Sequence, residues 1–129
     1  MTRPGLGWNV TFSTVAGGSN ISIVTIQVVD NDGNAVNECL MMDVWLSSAS
    51  TGIGYAGVSD TFNVVSGGNG TDMLVLNAAD GTRVLTSATG TYDAEITDAG
   101  KAAVYVCCTV PGQGGRIAVS DVLETADYG

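Results

Sequence analysis

Along most of this chain apolar and polar residues alternate with a period of two, in short runs separated by Gly-, Asn- and Asp-rich breaks. Leu40, Met42, Val44 and Leu46 alternate with Met41, Asp43, Trp45 and Ser47, the pattern of a strand with one face on a core. Trp45 falls on the opposite face, beside Asp43. Tyr92, Ala94 and Ile96 share a face in the same way, with Asp93 and Glu95 turned outward. Trp8, Val10 and Phe12 begin a first strand that Gly17-Gly18-Ser19 ends. Residues 21–29 carry two apolar sets out of phase, Ile21 and Ile23, then Val24, Ile26 and Val28. That phase shift predicts a central strand that either contains a β-bulge or is buried on both faces. Residues 102–110 form the longest β-prone run, with Val104, Val106 and Cys108 facing one way and Tyr105, Cys107 and Thr109 the other. A Pro-Gly loop at 111–115 then leads to residues 116–122, its predicted hairpin partner.

Shorter strand pieces lie at 61–65, 73–76 and 84–86, the last two flanking Asp80-Gly81. Asp30-Asn31-Asp32-Gly33-Asn34 is a turn by composition, and residues 48–57 and 67–70 read as loops. Seven to nine short strands, with no sustained helical period, internal repeat or linker, predict an all-β fold, a sandwich or small barrel. One domain is expected at residues 8–129, preceded by an extended N-terminal arm at residues 1–7. Trp8 would anchor that arm if it reaches a neighbour. Trp45 either contacts a partner or a sugar, or packs beneath a loop or neighbouring subunit; burial is the favoured reading because large aromatics generally have a covering partner.

Composition narrows the chemistry. The 129 residues hold 18 Gly and 2 Pro, which oppose long helices. A net charge of −9 opposes binding to nucleic acid, which needs Lys and Arg to displace counterions. There is no His, and Lys101 is the single lysine, so a nucleophile would lack its usual base. Asp93 and Glu95, at i and i+2 on one strand face, suit glycoside hydrolysis in principle, but a solvated outer face explains them more simply. The segment beginning at Asp30 lacks EF-hand spacing, because Gly33 is fourth and Met41 twelfth. Cys39, Cys107 and Cys108 have no CxxC spacing and are expected to be buried free thiols. No metal or cofactor is expected. Asn9, Asn20 and Asn69 begin glycosylation sequons that matter only in a secretory route. The absence of an apolar run after Met1-Thr2-Arg3-Pro4-Gly5, or of a membrane-spanning length anywhere, leads to the expectation of a protein made and kept soluble in a cytoplasm.

Val24-Thr25-Ile26-Gln27-Val28-Val29-Asp30-Asn31-Asp32-Gly33-Asn34, Asp43-Val44-Trp45-Leu46-Ser47 and the run from Thr86 through Gly90-Thr91-Tyr92 to Ile96-Thr97-Asp98 resemble small virion proteins of tailed bacteriophages. The similarity covers roughly residues 24–120. The same pieces resemble bacterial and phage Ig-like modules, which implies a single Ig-like β-sandwich, with a jelly-roll-like sandwich as the alternative. The resemblance implies a capsid decoration or cement protein on the virion surface, without catalytic residues, bound to the major capsid protein. A homo-oligomer is expected from the small area one module offers; a trimer is taken as its form, although its symmetry is not readable from the sequence. Trp8, Trp45 and Tyr55 are the candidate partner contacts. The other reading is a tail, neck or head-fibre module that binds host glycans through Trp45 or Tyr55.

Overall fold

The computed structural model describes residues 7–129. Nine strands follow in chain order: β1 (Asn9–Ala16), β2 (Ile21–Val29), β3 (Met41–Ser47), β4 (Thr61–Val64), β5 (Thr71–Asn77), β6 (Gly81–Leu85), β7 (Thr91–Thr97), β8 (Tyr105–Thr109) and β9 (Ile117–Val119). All strand pairs are antiparallel, and they form two sheets of order β1-β2-β7-β4 and β5-β6-β3-β8-β9. The first sheet matches the A-B-E-D order of an immunoglobulin sandwich, and β9-β8-β3 matches G-F-C. Hairpins β1–β2, β5–β6 and β8–β9 keep sequence neighbours side by side, unlike the double Greek key of a jelly roll. The departure from the simplest Ig plan is the β5–β6 hairpin, which extends the second sheet beyond β3 before the chain returns to β7.

The core lies between the sheets. Val24, Ile26 and Val28 from β2, with Tyr92, Ala94 and Ile96 from β7, face Met42, Val44 and Leu46 from β3 and Val106 and Cys108 from β8. Each fully buried aliphatic side chain contributes about 1.5–3 kcal/mol of transfer free energy. Tyr92 also ties the sheets together: its hydroxyl donates to Asp72 Oδ1 at 2.6 Å, and Asp72 Oδ2 accepts the Val64 amide at 3.0 Å. The β2–β3 connection begins with the turn expected at Asp30. Asp30 Oδ1 accepts the amides of Asp32 and Asn34, at 2.9 and 3.0 Å, and Gly33 takes a φ of 84°.

Two expectations are corrected. The register of β2 runs without a shift against both β1 and β7, so residues 21–29 hold no bulge. Ile21 and Ile23 are instead half-buried on the outer face, where Ile21 packs beside Gly17. The register shifts lie in β5, which is an edge strand with less to hold it flat. Cys39 is exposed, because it precedes the strand and takes no position in the alternation that starts at Leu40; Cys107 and Cys108 are buried. Residues 1–6 of the expected arm lie outside the described residues.

Candidate functional site

The outer face of the five-stranded sheet is built by default. Met42, Val44 and Leu46 point inward, so Met41, Asp43, Trp45 and Ser47 must point away from the core. Register sets their neighbours: Asp43 lies opposite Arg83, Trp45 between Gly81 and Cys107, and Ile117 opposite Thr109. The connection after β3, residues 48–57, folds back over this face. Trp45 Nε1 donates to the Gly52 carbonyl at 2.8 Å, Ser47 Oγ donates to the Ile53 carbonyl at 3.0 Å, and the Ala56 amide donates to Leu46 O at 2.8 Å. Two glycines make the fit. A Cβ on Gly81 would stand 2.8 Å from Tyr55 Cε1, and one on Gly52 would stand 3.3 Å from Cys107 Sγ, with Gly52 at a φ of +78°.

Folded this way, the loop and sheet enclose a groove of about 420 Å³, whose lining includes Asp43, Trp45, Ile53, Tyr55, Leu76 and Ile117. Around it the surface is apolar and open: Ile53 is 75% exposed and Leu74 55%, with Met41, Tyr55 and Ile117 also exposed. Asp43 and Arg83 meet as a fork, Nε to Oδ1 at 2.7 Å and an Nη to Oδ2 at 3.2 Å. The hydrogen bond to Asp43, and then its charge, raise the Arg83 pKa, so the pair places no net charge at the groove of a strongly acidic chain. An apolar floor with an aromatic rim suits non-covalent attachment of another apolar surface.

Trp45 and Tyr55, expected as partner contacts, are therefore brought together on one groove. Trp8 does not join them: it is buried in the core at the start of β1. Trp45 packs beneath the loop, the reading favoured for it, with its indole N–H taken by the Gly52 carbonyl, and it also lines the groove.

Of the carboxylate pair Asp93 and Glu95, Asp93 is engaged in structure. Asp93 accepts from Thr25 Oγ1 and from both the backbone and side-chain nitrogens of Asn69, each at 2.9 Å. It thus straps β2 and the loop before β5 to β7. Asp98 holds the turn after β7, accepting the Gly100 and Ala102 amides at 3.0 and 2.8 Å. Burial pushes the Cys107 thiol up to about 11 and the Cys108 thiol up to about 12, the latter helped by the neighbouring Cys107. Both stay protonated at neutral pH, which makes them poor nucleophiles. Among the described residues no three His, Cys, Asp or Glu side chains gather in a way that could hold a metal ion, and no helix is long and apolar enough to cross a membrane.

Sequence reasoning missed the Asp43–Arg83 fork and the Tyr92–Asp72 tie. Each joins strands far apart in sequence, and the local spacing around either residue carries no sign of the partner. The alternation did place Asp43 and Trp45 together on the outer face. Compared with protein-family models, curated proteins and solved structures, the chain matches none of them.

Proposed function

We propose that this chain is a structural attachment module, and specifically a decoration protein on the outside of a bacteriophage capsid, bound to the major capsid protein and stabilising the shell. The observation that carries the attachment reading is the open apolar face around Trp45 and Tyr55, with Ile53 and Leu74 more than half exposed beside the Asp43–Arg83 pair. The capsid as the surface it binds comes from the sequence resemblance to phage virion proteins. A compact sandwich whose polar groups are spent on turns and straps suits a part that works by occupying a position.

The test begins with purified particles, in which the chain should be present at a copy number near that of the major capsid protein. Particles stripped of it should rebind the wild-type protein. Ile53→Asp with Leu74→Asp, both at exposed positions, should weaken rebinding by roughly tenfold or more, because well-packed interface anchors are worth above 1 kcal/mol each. Absence of the chain from particles removes the capsid reading; rebinding unaffected by the double variant removes this face from it. Tyr55, half-exposed on the groove rim, supports a second reading as a head-fibre or tail module for host glycans. Signals on a glycan array, lost in Tyr55→Ala, would favour that reading over a cement.

A further inference from the structure

Each sheet of an open sandwich ends in edge strands whose outer backbone groups lack a neighbour, and such a row is a template for pairing with another chain. β1 and β9 are edges of this kind, one from each sheet. Between them lies a groove of about 410 Å³, lined by residues 9–12 on one side and 116–121 on the other. A second groove, of about 250 Å³, continues it past Phe12 and Thr14, with Ser120, Asp121 and Asp127 in its lining. The 3-10 turn Thr125–Asp127 lies against β1 at that end. The two grooves share Phe12, Ser120 and Asp121 and so form one slot, with Asn9 and Arg116 at one end and Asp121 and Asp127 at the other.

Both walls of the slot offer it backbone groups. The Gly17 amide donates to Ile21 O, so the odd-numbered residues of β1 exchange hydrogen bonds with β2, and Val10, Phe12 and Thr14 turn N–H and C=O outward. The Ser120 amide donates to Val106 O and the Val110 amide to Arg116 O, so the even-numbered residues of β9 bond β8, and Ile117 and Val119 turn outward. Among the described residues no backbone hydrogen bond joins β1 to β9. The two strands run in the same direction along the slot: residues 9–12 lie across from 116–121, and Phe12 and Thr14 across from 120–123. A single extended segment running the other way is therefore antiparallel to both walls.

We propose that this slot takes an extended segment of a partner protein, inserted antiparallel to β1, with lysine or arginine toward its N-terminal end. Charge selects the occupant and its direction. The ionisable side chains lining the slot are Arg116, Asp121 and Asp127, and among the described residues none of them forms an ion pair. Asp127 Oδ2 accepts the Glu124 amide at 2.7 Å, which leaves its charge uncompensated. An antiparallel segment brings its N-terminal end to Asp121 and Asp127 and its C-terminal end to Arg116, so cationic residues belong at the first end and not at the second. A chain of net charge −9 attracts such a segment and repels a second copy of itself. Main-chain hydrogen bonds supply the affinity, as in other recognition by strand addition. The inference does not rest on the capsid reading, since it needs only the slot and its charges.

The probe is a short fluorescein-labelled peptide with lysines at its N-terminal end and alternating valine and threonine after them, titrated with the full chain and read by fluorescence anisotropy. It should bind saturably with a dissociation constant below about 1 mM, and a version with glutamates in place of the lysines should bind roughly tenfold more weakly or worse. Asp121→Asn with Asp127→Asn keeps the oxygen that accepts the Glu124 amide and should weaken the lysine peptide roughly threefold or more. Thr14→Pro removes an outward N–H, a change an edge strand tolerates, and should weaken it roughly fivefold or more with an unchanged β-sheet circular dichroism spectrum. Ile53→Asp with Leu74→Asp, outside the slot, should leave it unchanged. No saturable binding, equal binding of the two peptides, or binding that either slot variant leaves intact overturns the proposal. Binding lost in Ile53→Asp with Leu74→Asp places the peptide in the Trp45 groove and overturns it as well, and binding tightened by Arg3→Glu does so by assigning the slot to the chain's own N-terminal residues. If Thr14→Pro unfolds the domain, the paired Asp variant decides.

Discussion

The hydroxyl of Tyr92 reaches from β7 in one sheet to Asp72 on β5 of the other, and removing it tests how the two layers are held together. Tyr92→Phe keeps the buried ring and deletes a 2.6 Å hydrogen bond to a carboxylate. Hydrogen bonds to charged groups contribute about 1.5–3 kcal/mol. Asp72 is exposed, so its oxygen regains water in the variant and the cost falls toward the lower half, about 2 kcal/mol. For a domain of this size that lowers the melting temperature by roughly 6–10 °C.

The pH dependence makes the test specific. Burial, and then the hydrogen bond and charge of Asp72, push the Tyr92 pKa well above its ordinary value of 10. A raised folded pKa means that the stabilisation is complete below pH 10, where both folded and unfolded chains keep the proton. Above pH 10 the unfolded chain releases it while the folded chain does not, so the wild type loses about 1.4 kcal/mol of stability per pH unit from this group. Tyr92→Phe has no such group. Urea denaturation from pH 8 to pH 11.5 should give a constant difference of about 2 kcal/mol up to pH 10, then a difference that closes over roughly the next 1.5 units. Tyr128, also raised, to about 12, titrates in both proteins and cancels. A difference that stays level through pH 11.5 would refute a Tyr92 hydroxyl held protonated in the core.

Three further outcomes follow from particular contacts. Gly70→Ala places a Cβ 2.7 Å from Tyr92 Cδ1 and 3.1 Å from Leu85 O at a φ of +95°, and should cost about 3 kcal/mol in urea denaturation. Of the three thiols, Cys39 alone should react with a chromogenic disulfide reagent in the native protein at pH 8, because Cys107 and Cys108 are buried with raised pKa values; all three should react after unfolding. Ser22 Oγ is buried without a hydrogen-bond partner, so Ser22→Ala should leave thermal stability unchanged or raise it by about 1 kcal/mol, whereas a loss of 2 kcal/mol or more would mean that the hydroxyl is satisfied.

How much of this could be read from sequence depends on the range of the cause. Period-two alternation is local, and it placed β3, β7 and β8 with the correct faces, because a strand's inward set is decided by its own residues. Asp30-Asn31-Asp32-Gly33-Asn34 was legible for the same reason: one side chain caps the amides of its own turn. Failures came where a distant element decides. Ile21 and Ile23 suggested either a bulge or burial on both faces, because apolar residues on an outer face look like a change of phase; β1 and β7 hold β2 in register on both sides, which excludes the bulge and leaves the outer face half-buried. Residues 48–57 are the loop that their composition indicates, but that Trp45, Ser47 and Gly81 seat it across the sheet was not legible. The groove was partly legible, since Trp45 faced outward by alternation, but its pairing with Tyr55 depended on where the loop folds.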